Sequence, residues 1–376
     1  MTVANVTVDG GRTERSATPY RAGIIGAGFM GEVHARAVRV TGGEVAGVVA
    51  SSESRSADAA RSLLAARAFD SVDAMLAAED IDVVHICTPN HLHHPLAMRA
   101  LEAGKHVVCE KPLATTVEHA VEMVGAADAK GLVGAVPFVY RFHPMVREAR
   151  EMVRRGGLGR VSLAHGSYLQ DWLTGAEDDN WRVDPLLGGA SRAFGDIGSH
   201  WCDLLEFVTG DPIRAVNARS ATVNAARGER TAVETEDVVV LQFETVSGVL
   251  GSATISQVSP GRKNRLLLEV SGSEASIAFD QEESEKLWVG GREGSRLLVR
   301  DPDALSAAAA PYAGVPAGHP QGYQECFANF VADTARSIAG DTPDGLPTFA
   351  DGLRACRVAD AVLRSAENRS WTEVEQ

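Results

Sequence analysis

A two-part α/β chain, with a helix-wound parallel sheet followed by an α+β region around a large, mostly antiparallel sheet, is predicted by three observations. The turn Gly26-Ala27-Gly28-Phe29-Met30-Gly31 stands between the apolar run Ala22 to Ile25 and a helix-like stretch through Val40, the strand, tight turn and helix order whose free N–H groups hold a pyrophosphate. From Tyr20 to about Val139, short apolar runs alternate with Ala-rich helical stretches, as parallel strands with crossover helices require. Beyond about Arg141, β-rich runs follow one another across short turns, which indicates antiparallel pairing.

The first region is a Rossmann dinucleotide-binding architecture, expected over 19–140. Its strands are read at Ala22 to Ile25, Val45 to Ala50, Val83 to Thr88, His106 to Cys109 and Val133 to Phe138. Helices are expected at Ala57 to Ala66, Val72 to Ala77, Pro95 to Ala103 and Val117 to Lys130, several of them ending beside Gly or Pro. The second region, 141–376, opens with a helix from Pro144 to Arg155. Its strands are expected at Val161 to Tyr168, Ala215 to Val223, Asp237 to Phe243, Val249 to Ser256, Leu266 to Ser271 and Ala275 to Phe279. The stretch Tyr323 to Ala366 is again helical, broken at Gly340 to Thr348, and these helices are placed so that they can pack back on the first domain. Residues 1–18 read as a disordered tail.

Composition limits the function classes. With 376 residues, 45% of them hydrophobic, the chain can bury a core of about two domains. A net charge of −14 opposes nucleic acid or an anionic membrane as a partner, and no apolar window of about 18 residues offers a transmembrane span. The cysteines, Cys87, Cys109, Cys202, Cys326 and Cys356, are scattered and odd in number, which fits a reduced, cytoplasmic compartment. Residues 1–18 contain no apolar core segment, so neither a signal peptide nor an anchor is expected there.

Chemistry is concentrated in four places. In the glycine turn, Gly26 permits the tight bend, Gly28 lets the backbone approach a pyrophosphate, and Gly31 lets the helix pack on the strand. After the second strand come Ser51, Ser52, Glu53 and Arg55, where an NAD enzyme places a carboxylate and an NADP enzyme a basic group. Neither is in the usual position: Glu53 can reach a ribose hydroxyl, Arg55 can meet a 2′-phosphate, and either can face solvent, so the balance favours NAD only slightly over NADP. Thr88-Pro89-Asn90-His91-Leu92-His93-His94 leaves the carboxyl end of a strand, where the nicotinamide ribose passes; its histidines lack the partner spacing of a metal site, and none is assigned. Glu110-Lys111-Pro112 puts an ammonium at the end of another strand, where it can lower the pKa of an alcohol or protonate an alkoxide.

In the second region, Asp196 and His200 stand at i and i+4 in Gly195-Asp196-Ile197-Gly198-Ser199-His200-Trp201-Cys202-Asp203, with Asp203 a turn further, while Ile197, Trp201, Leu204 and Val208 form an apolar stripe. The polar face is either solvated or chemical. Tyr140, Gln170, Trp172, Trp181 and Arg182 offer the rings and hydrogen-bonding groups that carbohydrate sites use, the tryptophans being open to a core reading as well. His319, in the loop Gly318 to Tyr323, either reaches over the same pocket or belongs to a plain helix-entry loop.

The glycine turn, Thr88 to His93 and Glu110-Lys111-Pro112 together resemble the Gfo/Idh/MocA oxidoreductase family, over essentially Tyr20 to Glu375. The resemblance implies an NAD(P)-dependent oxidoreductase acting on a secondary hydroxyl of a cyclic sugar, sugar derivative or polyol, such as a pyranose, anhydrosugar or inositol. It implies that Lys111 contacts the reacting hydroxyl and that Asp196 and His200 line the substrate pocket as members of a D-x-G-x-H motif. Gly26 to Gly31, Ser51 to Glu53, Arg55, Thr88 to Asn90, His93, Glu110 and Lys111 are the implied cofactor contacts. Lys111, Tyr140, Gln170, Trp172, Trp181, Arg182, Asp196 and His200 are the implied substrate contacts, and His319 joins them on the position of its loop alone. A homodimer or homotetramer is implied too. The family's fold also serves NAD-dependent glycoside hydrolases, which oxidise a sugar transiently, and non-catalytic sugar-sensing regulators.

Overall fold

The computed structural model describes residues 20–376; the expected tail at 1–18 lies outside the described residues. The first sheet holds β1 (Arg21–Ile25), β2 (Glu44–Val49), β3 (Val83–Ile86), β4 (His106–Cys109) and β5 (Gly134–Ala135) in the order β2-β1-β3-β4-β5. All of its pairings are parallel. Its strands are apolar on both faces because helices cover both: α1 (Phe29–Val40), α2 (Glu53–Ser62), α3 (Val72–Leu76), α4 (His93–Glu102) and α5 (Val117–Lys130). Helix α5 begins at the Thr116 cap and ends at Gly131 in the left-handed region, the asymmetry that marks helix ends in sequence. Helix α2 starts four residues earlier than its Ala-rich stretch suggests, because Ser52 caps it by accepting the Arg55 N–H at 3.3 Å.

The second region begins with α6 (Pro144–Arg154) and β6 (Val161–Leu169). It continues through α7 (Pro185–Gly188), α8 (Ser199–Thr209), β7 (Ile213–Ala221), β8 (Val238–Thr245), β9 (Leu250–Ser256), β10 (Arg265–Gly272) and β11 (Ser276–Asp280). Next come β12 (Lys286–Gly291), β13 (Gly294–Val299), α9 (Tyr323–Ile338), α10 (Phe349–Asn368) and β14 (Thr372–Glu373). The sheet runs β13-β12-β11-β10-β6-β9-β8-β7-β14. Its pairs are antiparallel except β6 with β9, which are parallel at the centre. One face is packed under α6, α8 and α10. Trp201 is buried there and ties α8 to β10 by donating its indole N–H to the Leu267 carbonyl at 2.8 Å. Buried side chains of this size each contribute about 1.5–3 kcal/mol.

Helices α9 and α10 return to the first sheet. Phe327, Phe330 and Val331 of α9 join the cluster around Ile24 and Val33, and Phe349, Leu353 and Cys356 of α10 join the one around Val107 and Leu113. Arg141, just after the first sheet, reaches Asp203 of α8 and Asp351 of α10, the latter at 2.8 Å. Both faces of the first sheet are therefore fastened to the second region. Among the described residues, no helix is long and apolar enough to cross a membrane.

Candidate active site

The carboxyl edge of the first sheet is shaped by backbone. Gly26 has φ +99°, and a Cβ there would lie 2.6 Å from the Cys87 carbonyl oxygen; only glycine takes this turn without strain. A Cβ on Gly31 would lie 2.3 Å from the Gly26 oxygen, whereas one on Gly28 would meet nothing within 4 Å. Gly28 thus leaves open room at the N-terminus of α1, where an anion is favoured. A cavity of about 1120 Å³ runs from this turn past Ala27, Phe29, Met30, Ser51, Arg55, Thr88, Pro89, Asn90 and His93 to Glu110 and Lys111. Within it the Thr88 hydroxyl is buried without a partner, a group that needs a ligand to complete it. The residues present fit a dinucleotide.

Several side chains around this groove brace it. The Asn90 amide donates to the Gly188 carbonyl at 2.8 Å, and the His93 ring nitrogens face the Pro112 and Thr88 carbonyls at 2.8 and 3.0 Å. Burial holds the His93 pKa below its usual value. His94 instead stacks on His119 and pairs with Glu122, so the histidines of this loop part company. Ser52 and Glu53 do not line the groove: Ser52 spends its hydroxyl on capping α2, and Glu53, the first residue of that helix, is exposed. Asp58 and Ser62, one and two turns further along α2, line it instead.

Lys111 leads into a cis peptide with Pro112 and points across to the second region. Its Nζ donates to Asp196 Oδ1 at 2.6 Å and to the Asp196 carbonyl at 3.0 Å. Asp196 Oδ2 accepts from Gln257 Nε2 at 2.8 Å, and Arg182 Nε lies 3.4 Å from Oδ1. Burial alone would raise the Asp196 pKa, but Lys111 and Arg182 outweigh it and hold the carboxylate far below its usual range. Asp196 sits in a π-helical turn, Phe194–Gly198, that leads directly into α8, an irregularity frequent at functional sites. His200, on the first turn of α8, is buried among Phe138, Tyr140 and Tyr168 with ring centroids at 5.6, 5.0 and 6.4 Å. Burial, reinforced by the Lys111 charge, depresses its pKa well below the usual value; at neutral pH it is an uncharged imidazole able to take a proton.

Glu110 has its own support. Its Oε1 meets His34 Nε2 at 2.9 Å, His34 Nδ1 meets His85 Nδ1 at 2.8 Å, and His85 Nε2 meets the Tyr20 hydroxyl at 2.9 Å, all buried. Burial pushes the Glu110 pKa up, and the His34 hydrogen bond and the Lys111 charge more than reverse this.

A second cavity, of about 340 Å³, lies against Lys111, Asp196 and His200. Tyr140, Gln170 and Arg182 line it, while Trp172 and Trp181 line the adjoining end of the larger cavity. His319 is a correction: it is exposed and lines neither cavity, and its contribution is a backbone carbonyl accepting from Arg300 at 2.6 Å. Asp203, expected a turn along the polar face, is consumed by Arg141 instead. Sequence reading missed Tyr168, Gln257, Asn264 and Tyr323. Asn264 joins Tyr140, Tyr168 and Gln170 into one hydrogen-bonded network at 2.7–3.1 Å, and Gln170 Oε1 accepts from the Trp172 indole at 2.7 Å. Tyr168 closes the strand read at Val161 to Tyr168, two residues before Gln170, whereas Gln257 and Asn264 flank a turn after β9 with no distinguishing pattern.

Models of the oxidoreductase family's NAD-binding Rossmann fold and of its C-terminal domain match residues 20–138 and 146–278. The chain belongs to the Gfo/Idh/MocA family. This Gfo/Idh/MocA oxidoreductase is 32% identical over 390 residues to levoglucosan dehydrogenase of Pseudarthrobacter phenanthrenivorans, covering 94% of this chain and 98% of that protein. It is 33% identical to 1,5-anhydro-D-fructose reductase of Ensifer adhaerens, again over 94% and 98% of the two chains. The solved structure of levoglucosan dehydrogenase in complex with NADH and levoglucosan superposes with a TM-score of 0.89 at 31% identity, covering 95% of this chain and all of that one.

Proposed function

We propose that this oxidoreductase transfers hydride between a secondary hydroxyl of a neutral cyclic sugar, sugar derivative or polyol and NAD(P), with a pyranose, anhydrosugar or inositol ring as the substrate class. The observation that carries the reading is the Lys111, Asp196 and His200 cluster on the wall of a 340 Å³ cavity adjoining the cofactor groove. That volume lies at the small end of ligand pockets, suited to one ring. The cluster's charges are balanced, with Lys111 and Arg182 facing Asp196 and Glu110 beside an uncharged His200, which suits a neutral substrate better than a sugar acid.

Bound nicotinamide supplies the hydride acceptor or donor. The protein handles the proton. His200, neutral and next to the cavity, takes the hydroxyl proton. Lys111 has three hydrogens and gives two to Asp196, which leaves one for the substrate oxygen, where it stabilises the charge that develops. Asp196, clamped by Lys111, Gln257 and Arg182, fixes the direction of that third hydrogen. Tyr140, Gln170, Trp172, Trp181 and Arg182 hold the ring. The levoglucosan- and anhydrofructose-specific names of the relatives support an anhydrosugar or pyranose over an open chain.

The outer face of the large sheet exposes Leu163, Val240, Leu250, Trp288 and Leu297, which supports a homodimer or homotetramer, measurable by light scattering. A panel of pyranosides, anhydrosugars and inositols with NAD and NADP, followed at the nicotinamide absorbance, tests the activity. Turnover of a ring alcohol is expected; wild-type rates in both Lys111→Ala and His200→Ala would overturn the assigned chemistry.

A further inference from the structure

The loop 171–184, which presents Trp172, Trp181 and Arg182 to the cavities, has only a short 3-10 turn at Trp181–Val183 to organise it. It hangs on a second loop, 222–237, between β7 and β8, which plays no part in the chemistry above. Arg227 is fully buried, and its Nη1 donates to the carbonyls of Gly175 and Asp178 at 3.0 and 3.2 Å. The Gly228 N–H donates to the Ala176 carbonyl at 2.9 Å, and the Thr235 hydroxyl to the Val183 carbonyl at 3.2 Å. Arg230 reaches Asp179 at 3.0 Å and Asp184 at 3.3 Å.

Both loops converge on one carboxylate. Asp237 Oδ1 accepts from Arg227 Nη2 at 2.6 Å and also from Arg192, and its Oδ2 takes the Val223 and Asn224 N–H groups at 2.6 and 3.1 Å. All three charged side chains are fully buried. Arg192 stands at the entry to the catalytic turn: its carbonyl accepts the Asp196 N–H at 2.8 Å. Glu236, the neighbour of Asp237, accepts from the Phe194 N–H at 2.9 Å and the Ser191 hydroxyl at 2.8 Å, satisfying donors at that helix start. Apolar side chains would fill such a site at lower desolvation cost, so the charges here serve position rather than strength.

We propose that Asp237 is a positioning residue that sets two parts of the site at once, the sugar-facing loop through Arg227 and the Asp196 turn through Arg192, and that segment 222–237 therefore helps determine which sugar is accepted. The proposal rests on the assignment of Trp181 and Arg182 to the sugar. Arg227→Met is expected to raise KM about tenfold with kcat within about twofold, and to change the kcat/KM ratio between the best and second-best sugar, because a misplaced loop weakens contacts to one ring more than to another. Arg192→Met is expected to lower kcat chiefly, and Asp237→Asn to do both. Arg230→Ala, at a partly exposed position, gives the same change as Arg227→Met in milder form and stands in for it should the buried substitution prevent folding. Trp181→Ala and Arg182→Ala are measured alongside. If those two leave KM unchanged, the sugar is not held by this loop and the underlying assignment fails. If they raise KM while Arg227→Met and Arg230→Ala leave both KM and the sugar ratio unchanged, or lower kcat/KM equally for every sugar, the positioning role is overturned.

Discussion

The two ends of the site are built from different material. At the cofactor end, backbone does most of the shaping: glycines at 26, 28 and 31, two strand ends and the start of α1 form a groove in which the side chains mainly brace loops. At the sugar end, side chains from widely separated segments meet around one clamped carboxylate, and its central contacts join distant parts of the chain, as in the pairing of Lys111 with Asp196, 85 residues apart. A backbone site tolerates change in what surrounds it but not in its glycines. A side-chain site can be retuned residue by residue, which is how one fold comes to serve relatives named for different sugars.

Perturbations should separate the two ends. The largest effect belongs to Lys111→Ala, expected to lower kcat by about 10²–10⁴-fold while cofactor affinity, read by NADH fluorescence titration, changes far less. Gly31→Ala attacks the other end: with its Cβ at 2.3 Å from backbone, the α1 turn must shift, and cofactor binding should weaken by about 10–100-fold, a loss of about 1.4–2.7 kcal/mol. A Gly31→Ala enzyme with normal NADH affinity would break the backbone account. Acid should act through the buried histidines of both regions, His85 and His93 in the first and His143 and His200 in the second, before the carboxylates. His143, pushed down to about 4, and His200 are buried and neutral, so the folded state binds fewer protons than the unfolded one. Their stabilisation is present above the unfolded histidine pKa of about 6.5 and is lost as pH falls below it, by up to about 1.4 kcal/mol per pH unit for each. Asp196 and Glu110, held below the carboxylate range, add their losses only below about pH 4. Urea denaturation midpoints between pH 7 and pH 3 read both windows. Asn264→Leu removes the common partner of Tyr140, Tyr168 and Gln170 and should raise KM about 2–10-fold with little change in kcat. His319→Ala, exposed and outside both cavities, should leave KM and kcat within about 1.5-fold.

The same contrast governs what could be read from sequence. The glycine turn was legible because a strand, a tight bend and a helix are local patterns with local causes, and the place of Lys111 just after a strand was legible for the same reason. Helix α5 was placed to the residue because Thr116 and Gly131 mark its ends. Strands β12 and β13 were not read: β12, Lys286–Gly291, ends in paired glycines, and β13, Gly294–Val299, is exposed along nearly its whole length, so neither shows the alternation of a half-buried strand. Gln257 and Asn264 could not be singled out because an amide becomes a site residue only when folding brings Asp196 or Tyr140 to it. His319 failed for the converse reason, since a histidine in a loop says nothing about where the loop is pinned, and Arg300 pins it away from the cavities.

The π-helical turn at Phe194–Gly198 can be viewed as a matter of phase. Each residue of an α-helix advances about 100° around the axis, so a turn wound one residue wider rotates everything before it relative to α8. Through that offset Asp196 turns both its carboxylate and its carbonyl toward a single ammonium, while the stripe of Ile197, Trp201, Leu204 and Val208 stays in the core. Shortening the turn by one residue would leave the composition of the site intact and its compass wrong.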